Sequence, residues 1–102
     1  MIPPIGGRLV SATRVEGKRK DHKVFLYTLS TCIWCKHTKQ FLKDNGVEHE
    51  YVDVDLARGE ERRKIEKDFA KTGSYSYPTM VIDGKRVIKG FRVEEIKEAL
   101  GI

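Results

Sequence analysis

The chain has 102 residues, of which 39% are hydrophobic and 34% are charged. This composition is typical of one soluble globular domain and excludes a disordered or fibrous chain. The longest apolar run is too short to cross a bilayer, and the first residues lack the basic and apolar regions of a signal peptide. We therefore expect a cytoplasmic protein that does not act in a membrane.

The net charge of +5 is concentrated at the start of the chain. Residues 1–23 carry six Lys or Arg against Glu16 and Asp21, whereas residues 24–102 are nearly neutral. A solvated tail explains this surplus better than an arm that binds nucleic acid or an acidic partner, so we expect no nucleic-acid partner. We divide the chain into a basic N-terminal extension over residues 1–22 and a domain over residues 23–102.

Only a short segment of the extension has the character of regular structure. The stretch from Leu9 to Val15 could form an extra edge strand. The domain then begins with residues 23–28, a β-rich run that is apolar on both alternating faces, as in a central strand covered on both sides. Ser30 and Thr31 follow and are expected to supply the capping oxygens of a helix.

That first helix is predicted over about residues 33–45, and Gly46 suits the left-handed position just beyond its end. Spacings of three and four separate its buried side chains from its exposed ones. The expected buried face consists of Thr38, Phe41 and Leu42, and the expected outward side chains are Lys36, Lys39, Lys43 and Asp44.

The remaining elements complete an α/β fold. The patterns predict a strand over 47–55, a helix over 58–71, a hairpin of strands 79–82 and 85–88 around an Asp-Gly turn, and a helix after Gly90. Strand, helix and strand joined by short loops imply a right-handed parallel crossover. The order β-α-β-α-β-β-α gives a mixed four-stranded sheet with three helices on its two faces.

The only two cysteines, Cys32 and Cys35, stand between the first strand and the first helix. A Cys-x-x-Cys pair in this position is typical of a dithiol–disulfide redox site. Cys32 is expected to lie at the helix N-terminus, where unpaired N–H groups stabilise a thiolate, and Thr31 and Lys36 are expected to support it. We expect Cys32 to attack a target disulfide and the more buried Cys35 to resolve the mixed disulfide, forming a redox-active Cys32–Cys35 disulfide.

Three other uses of the cysteine pair are zinc binding, haem attachment and an inert buried pair. Zinc needs about four ligands, and the candidates His22, His37 and His49 show no paired spacing. Haem attachment needs a histidine directly after the second cysteine, where Lys36 stands. An inert buried pair remains as a further alternative. We expect no metal and no bound cofactor.

Three segments together resemble the glutaredoxin branch of the thioredoxin fold. They are Cys-Ile-Trp-Cys over 32–35, Tyr77-Pro78 opening a later strand, and Gly90-Phe91 opening the last helix. The resemblance implies a thioredoxin-like fold with a cis peptide bond before Pro78. It also implies that the backbone of Tyr77 pairs with an extended substrate. Further expected substrate contacts are Trp34, Pro78, Gly90 and Phe91.

Two departures from glutathione-dependent glutaredoxins point to a different reductant. Such proteins usually carry a lysine where Leu29 stands, and a second glycine where Phe91 stands. The stretch Lys-Gly-Phe-Arg over 89–92 is more similar to NrdH-type redoxins, which deliver electrons to ribonucleotide reductase and are reduced by thioredoxin reductase. We therefore predict a monomeric oxidoreductase for protein disulfides, with ribonucleotide reductase as a candidate target.

Two alternatives stay open. One is a glutathione-dependent glutaredoxin, with glutathione as co-substrate. The other, of a different class, is a non-catalytic module that binds a metal or an iron–sulfur cluster on the same fold.

Overall fold

A computed structural model describes residues 12–102, so the predictions for residues 1–11, including Leu9 to Ser11 of the extra strand, lie outside the described part. The strands are β1 (Ala12–Val15), β2 (Val24–Thr28), β3 (His49–Asp53), β4 (Thr79–Ile82) and β5 (Arg86–Lys89). The helices are α1 (Ile33–Asp44), α2 (Gly59–Ala70) and α3 (Val93–Leu100), and a 3₁₀ turn covers Val54–Leu56. None of the helices within residues 12–102 is both long and apolar enough to span a membrane.

Within residues 12–102 the sheet has five strands, in the order β1-β3-β2-β4-β5, so the predicted count of four for the domain is one short. The additional strand lies within the stretch from Leu9 to Val15 that could form an edge strand. β2 and β3 are parallel, as the crossover requires, and the other neighbouring pairs are antiparallel. The fifth strand, β1, pairs with β3 from Ala12 opposite Val52 to Val15 opposite His49. It covers backbone groups that β3 would otherwise leave open at the sheet edge.

The segment after β1 continues along the domain. The N–H of Arg19 donates to the carbonyl of Gly46 at 2.8 Å, and the N–H of Glu48 donates to the carbonyl of Arg19 at 3.0 Å. Gly17 lies so close to this turn that a Cβ there would stand 2.5 Å from the carbonyl oxygen of Gly46. The described part of the extension is therefore tied to the domain by backbone hydrogen bonds.

Two apolar clusters cover the two faces of the sheet. Leu26 belongs to the cluster that includes Leu42 of α1 and Ile96 of α3. Its neighbour Tyr27 belongs to the other cluster, with Ile65 of α2. Because successive residues of β2 are buried on opposite faces, the prediction of a central strand covered on both sides is confirmed.

The start and one face of α1 differ from the prediction. The N-cap is Cys32 itself, so the expectation that Ser30 or Thr31 caps the helix is wrong. Lys39 is not an outward side chain, because only 22% of it is exposed and it forms an ion pair with Asp53. The helix end follows the prediction, since Gly46 has a left-handed φ of +66°.

Candidate functional site

The turn from β2 into α1 places Cys32 at the N-terminus of the helix. The N–H of Cys32 donates to the carbonyl of Leu29 at 3.1 Å, which fixes the turn. Its sulfur accepts the N–H of Cys35 at 3.2 Å, and its own carbonyl accepts the N–H of Lys36 at 3.2 Å. A sulfur at the N-cap of a helix faces the N–H groups of the first turn. These donors stabilise negative charge on the sulfur.

The second cysteine lies in a different environment. Cys35 is fully buried, whereas Cys32 is half-buried. Burial, and next a side-chain hydrogen bond to Cys32, raise the pKa of the Cys35 thiol to about 12. The two thiols are therefore inequivalent: Cys32 can meet a large disulfide substrate, and Cys35 is held as a thiol behind it.

The loop before Cys32 is held by a carboxylate from the other end of the crossover. Asp55, in the 3₁₀ turn after β3, accepts the N–H of Ser30 at 2.9 Å and also its hydroxyl. These hydrogen bonds from Ser30 hold the pKa of Asp55 below its usual range. Sequence analysis missed this pair, although both residues follow the carboxyl ends of adjacent parallel strands, where such groups meet.

A third chain segment closes the site. The Tyr77–Pro78 peptide bond is cis, as predicted, and Pro78 is buried. The carbonyl oxygen of Tyr77 lies 4.0 Å from the sulfur of Cys32. Behind it, the Tyr77 ring stacks on Phe69 of α2, with 4.9 Å between the ring centroids. The backbone of Tyr77 therefore lies next to the sulfur of Cys32.

The turn into α3 joins the same site through Gly90. Its N–H donates to the carbonyl of Pro78 at 2.7 Å, and its φ of +86° is one that residues with a Cβ rarely adopt. The next residue, Phe91, turns its ring toward α1, where it stacks on His37 at 6.4 Å and contacts Phe41 edge-on at 5.9 Å. Gly90 thus fixes where the Phe91 ring lies.

An aromatic surface beside the cysteines includes the expected substrate contact Trp34. This side chain is 58% exposed, and its ring lies 6.3 Å from that of Phe91 and 5.4 Å from that of His37. Large exposed rings next to a reactive group are typical of surfaces that bind other proteins. The rings of Trp34, His37 and Phe91 thus form one aromatic surface.

Two expected site residues contribute less than the sequence indicates. Thr31 is exposed and does not cap α1, and Lys36 is exposed and contacts Cys32 through its backbone N–H. The positive charge that acts on Cys35 comes from Lys39, whose Nζ lies 3.1 Å from Asp53 Oδ1. The spacing of four between Cys35 and Lys39 places both on one face of α1, but the ion pair could not be predicted because its partner lies on β3.

Within residues 12–102, no three His, Cys, Asp or Glu side chains form a group that could hold a metal ion. The imidazole of His37, the histidine nearest the cysteines in sequence, packs against the rings of Trp34 and Phe91.

Comparisons with known proteins agree with this geometry. The glutaredoxin family model matches residues 24–87. The crystal structure of the glutaredoxin from Methanosarcina mazei is 40% identical, with a TM-score of 0.79 over 90% of this chain and 89% of that one. Methanoredoxin from Methanosarcina acetivorans is 44% identical, with a TM-score of 0.75 over 82% and 87% of the two chains. NrdH-redoxin from Escherichia coli, 22% identical with a TM-score of 0.62 over 74% and 92%, shows the fold alone.

Proposed function

Because this chain belongs to the glutaredoxin family and has its thioredoxin-like fold, we propose that it is a dithiol–disulfide oxidoreductase that reduces disulfides of other proteins. Membership makes it a thiol–disulfide redox protein. The observation that carries the finer proposal is the difference between the two thiols. The sulfur of Cys32 caps α1 and lies 3.2 Å from the backbone N of Cys35, whereas the Cys35 side chain is fully buried.

The reaction has two steps. The Cys32 thiolate attacks one sulfur of the target disulfide, the target S–S bond breaks, and the other target sulfur leaves as a thiolate that takes up a proton. Cys35 then loses its proton and attacks the sulfur of Cys32, which breaks the mixed disulfide and releases the second target thiol. The target gains two electrons and two protons, and the protein is left with a Cys32–Cys35 disulfide that a reductant must reopen.

The surroundings of Cys32 support a protein as the target. The carbonyl of Tyr77, 4.0 Å from the Cys32 sulfur, is placed to accept a backbone N–H from an extended segment beside the attacked disulfide. The exposed ring of Trp34 adds an apolar contact on the neighbouring side. Ribonucleotide reductase is one target of this kind, and the cytoplasm, where thiols are kept reduced, is the proposed location.

The composition of the site favours a protein reductant over glutathione. Leu29 supplies no positive charge in the turn before Cys32. Phe91 occupies the position after Gly90, and its ring is packed against His37 and Phe41. Glutathione carries two carboxylates, which cationic groups bind well, and neither Leu29 nor Phe91 has a cationic side chain. We therefore propose a thioredoxin-reductase-like partner.

A coupled turnover assay tests the choice of reductant. The protein is mixed with insulin and NADPH, and NADPH oxidation is followed with either thioredoxin reductase or glutathione plus glutathione reductase. Turnover with thioredoxin reductase that is at least tenfold faster is expected. Turnover with glutathione alone would instead assign the protein to the glutathione-dependent glutaredoxins.

A further inference from the structure

Lys39 is held inside the domain more firmly than a surface lysine on a helix. Its side chain is 22% exposed, with Nζ 3.1 Å from Asp53 Oδ1 and 3.8 Å from the centre of the Tyr51 ring. An exposed ion pair contributes little to stability, and fixing a long lysine side chain costs conformational entropy. Lys39 differs because it is mostly buried and has two partners, the Asp53 carboxylate and the Tyr51 ring, which together hold the ammonium group in one position.

Lys39 lies on the same helix face as Cys35. It follows Cys35 by four residues on α1, so the two side chains are one turn apart on that face. Asp53 ends β3 beside Thr28, the last residue of β2, and the Thr28 hydroxyl donates to Asp53 Oδ1 at 2.6 Å. The ion pair thus joins α1 to the end of β3. The hydrogen bond from Thr28 extends this connection to the end of β2, the strand that leads to Cys32.

The second step of the proposed reaction requires a negative charge on the sulfur of Cys35, and burial disfavours that charge. Cys35 must become a thiolate to attack Cys32, yet burial raises its pKa to about 12. Three titratable or charged groups act on the Cys35 thiol. They are Cys32 at the N-cap of α1, Lys39 on α1, and Tyr77 in the segment before β4. Asp53 on β3 acts through its ion pair with Lys39. Among these groups Lys39 is the one whose positive charge favours the thiolate.

We propose that Lys39, held by Asp53 and Tyr51, is a positioning residue that favours the thiolate form of Cys35 during resolution of the mixed disulfide. The proton lost by Cys35 passes through solvent to the departing target thiolate, and Lys39 keeps its own protons throughout. This inference rests on the proposed function, because it concerns the second step of that reaction.

The test follows the lifetime of a mixed disulfide. Reduced protein is mixed rapidly with dithiobis(2-nitrobenzoate), and release of the coloured thiolate shows one equivalent for the attack by Cys32 and a second for resolution by Cys35. Acid quenching and intact mass measurement report the mixed disulfide directly. The two rates are measured from pH 5 to pH 9 for the wild type and each variant.

Lys39→Met is expected to slow the second release about tenfold at every pH between 5 and 9. Its rate–pH line is therefore displaced by about one unit to higher pH, since a tenfold change in the thiolate fraction corresponds to one pH unit. The first release should change less than twofold. Lys43→Met removes the same charge from an exposed position one turn further on, and should leave both rates as in the wild type. Lys39→Arg keeps the charge and should restore most of the second rate.

Asp53→Asn distinguishes an electrostatic role from a structural one. Asparagine can still accept hydrogen bonds from Lys39 and Thr28 but no longer neutralises the ammonium group. The rate–pH line of the second release should therefore be displaced to lower pH, opposite to the shift in Lys39→Met. Shifts in the same direction, or an unchanged second rate in Lys39→Met, would overturn the role of Lys39. Absence of any thiolate release from the wild type would instead refute the proposed function.

Discussion

The unequal reactivity of the two thiols can be measured one cysteine at a time. In a Cys32→Ser variant, only Cys35 can react with iodoacetamide. At the wild-type pKa of about 12, to which burial contributes most, roughly one molecule in 10⁵ carries the Cys35 thiolate at pH 7, against roughly 3% for a free cysteine of pKa about 8.5. The hydrogen bond to Cys32 and the charge of Cys32 also raise the wild-type pKa, so the thiolate fraction in Cys32→Ser is larger than this. The higher basicity raises the reactivity of that thiolate by roughly 40-fold, so the net effect is a reaction about a hundredfold slower. Complete burial of Cys35 adds to this protection.

The unfolded chain supplies the matched control. The same Cys32→Ser variant is alkylated at pH 7 in the folded state and in concentrated urea, and the modified fraction is followed by intact mass. Folding is expected to slow alkylation of Cys35 by about a hundredfold or more. In the Cys35→Ser variant, alkylation of Cys32 should be at least as fast in the folded state as in urea. Equal rates for folded and unfolded Cys35 would refute the assignment of Cys35 as the protected, resolving thiol.

Two further predictions concern stability. Burial lowers the pKa of His49, so as the pH falls through about 6.5 the unfolded chain takes up a proton first and stability falls, by at most about 1.4 kcal/mol per pH unit. Urea unfolding between pH 7 and pH 5 should show a flatter profile for His49→Gln but not for the exposed His37→Gln, and identical slopes in all three proteins would contradict this. Gly17→Ala brings a Cβ against the carbonyl of Gly46 and should cost about 1–3 kcal/mol, whereas Lys18→Ala should stay within about 0.5 kcal/mol of the wild type. A Gly17→Ala protein as stable as the wild type would show that this turn can move.

Local patterns were sufficient for most elements of the fold. The continuous apolar run of β2 predicted a strand with both faces covered, and Leu26 and Tyr27 indeed pack in opposite clusters. The pattern did not decide on β1, because none of its four residues is buried and their exposure does not alternate along the strand. What holds β1 is pairing with β3, which lies more than thirty residues away in the sequence. Hydrophobic periodicity carries no information about such a pairing.

The candidate site divides in the same way. Cys32 and Cys35 were predictable because their chemistry depends on a local feature, the first turn of a helix. Residues that support them through distant contacts were not predictable from periodicity. The spacing of four places Lys39 on the same face of α1 as Cys35, but its ion pair with Asp53, fourteen residues further on, cannot be inferred from spacing.

The central claim, nucleophilic attack by Cys32, is tested most directly by trapping the mixed disulfide. Reduced Cys35→Ser protein is incubated with a disulfide-containing protein such as insulin, quenched in acid and examined by intact mass and peptide mapping. We predict a stable covalent adduct joined through Cys32, and no adduct with Cys32→Ser under the same conditions. An adduct through Cys35 in Cys32→Ser that forms equally fast, or no adduct in either variant, would contradict the claim.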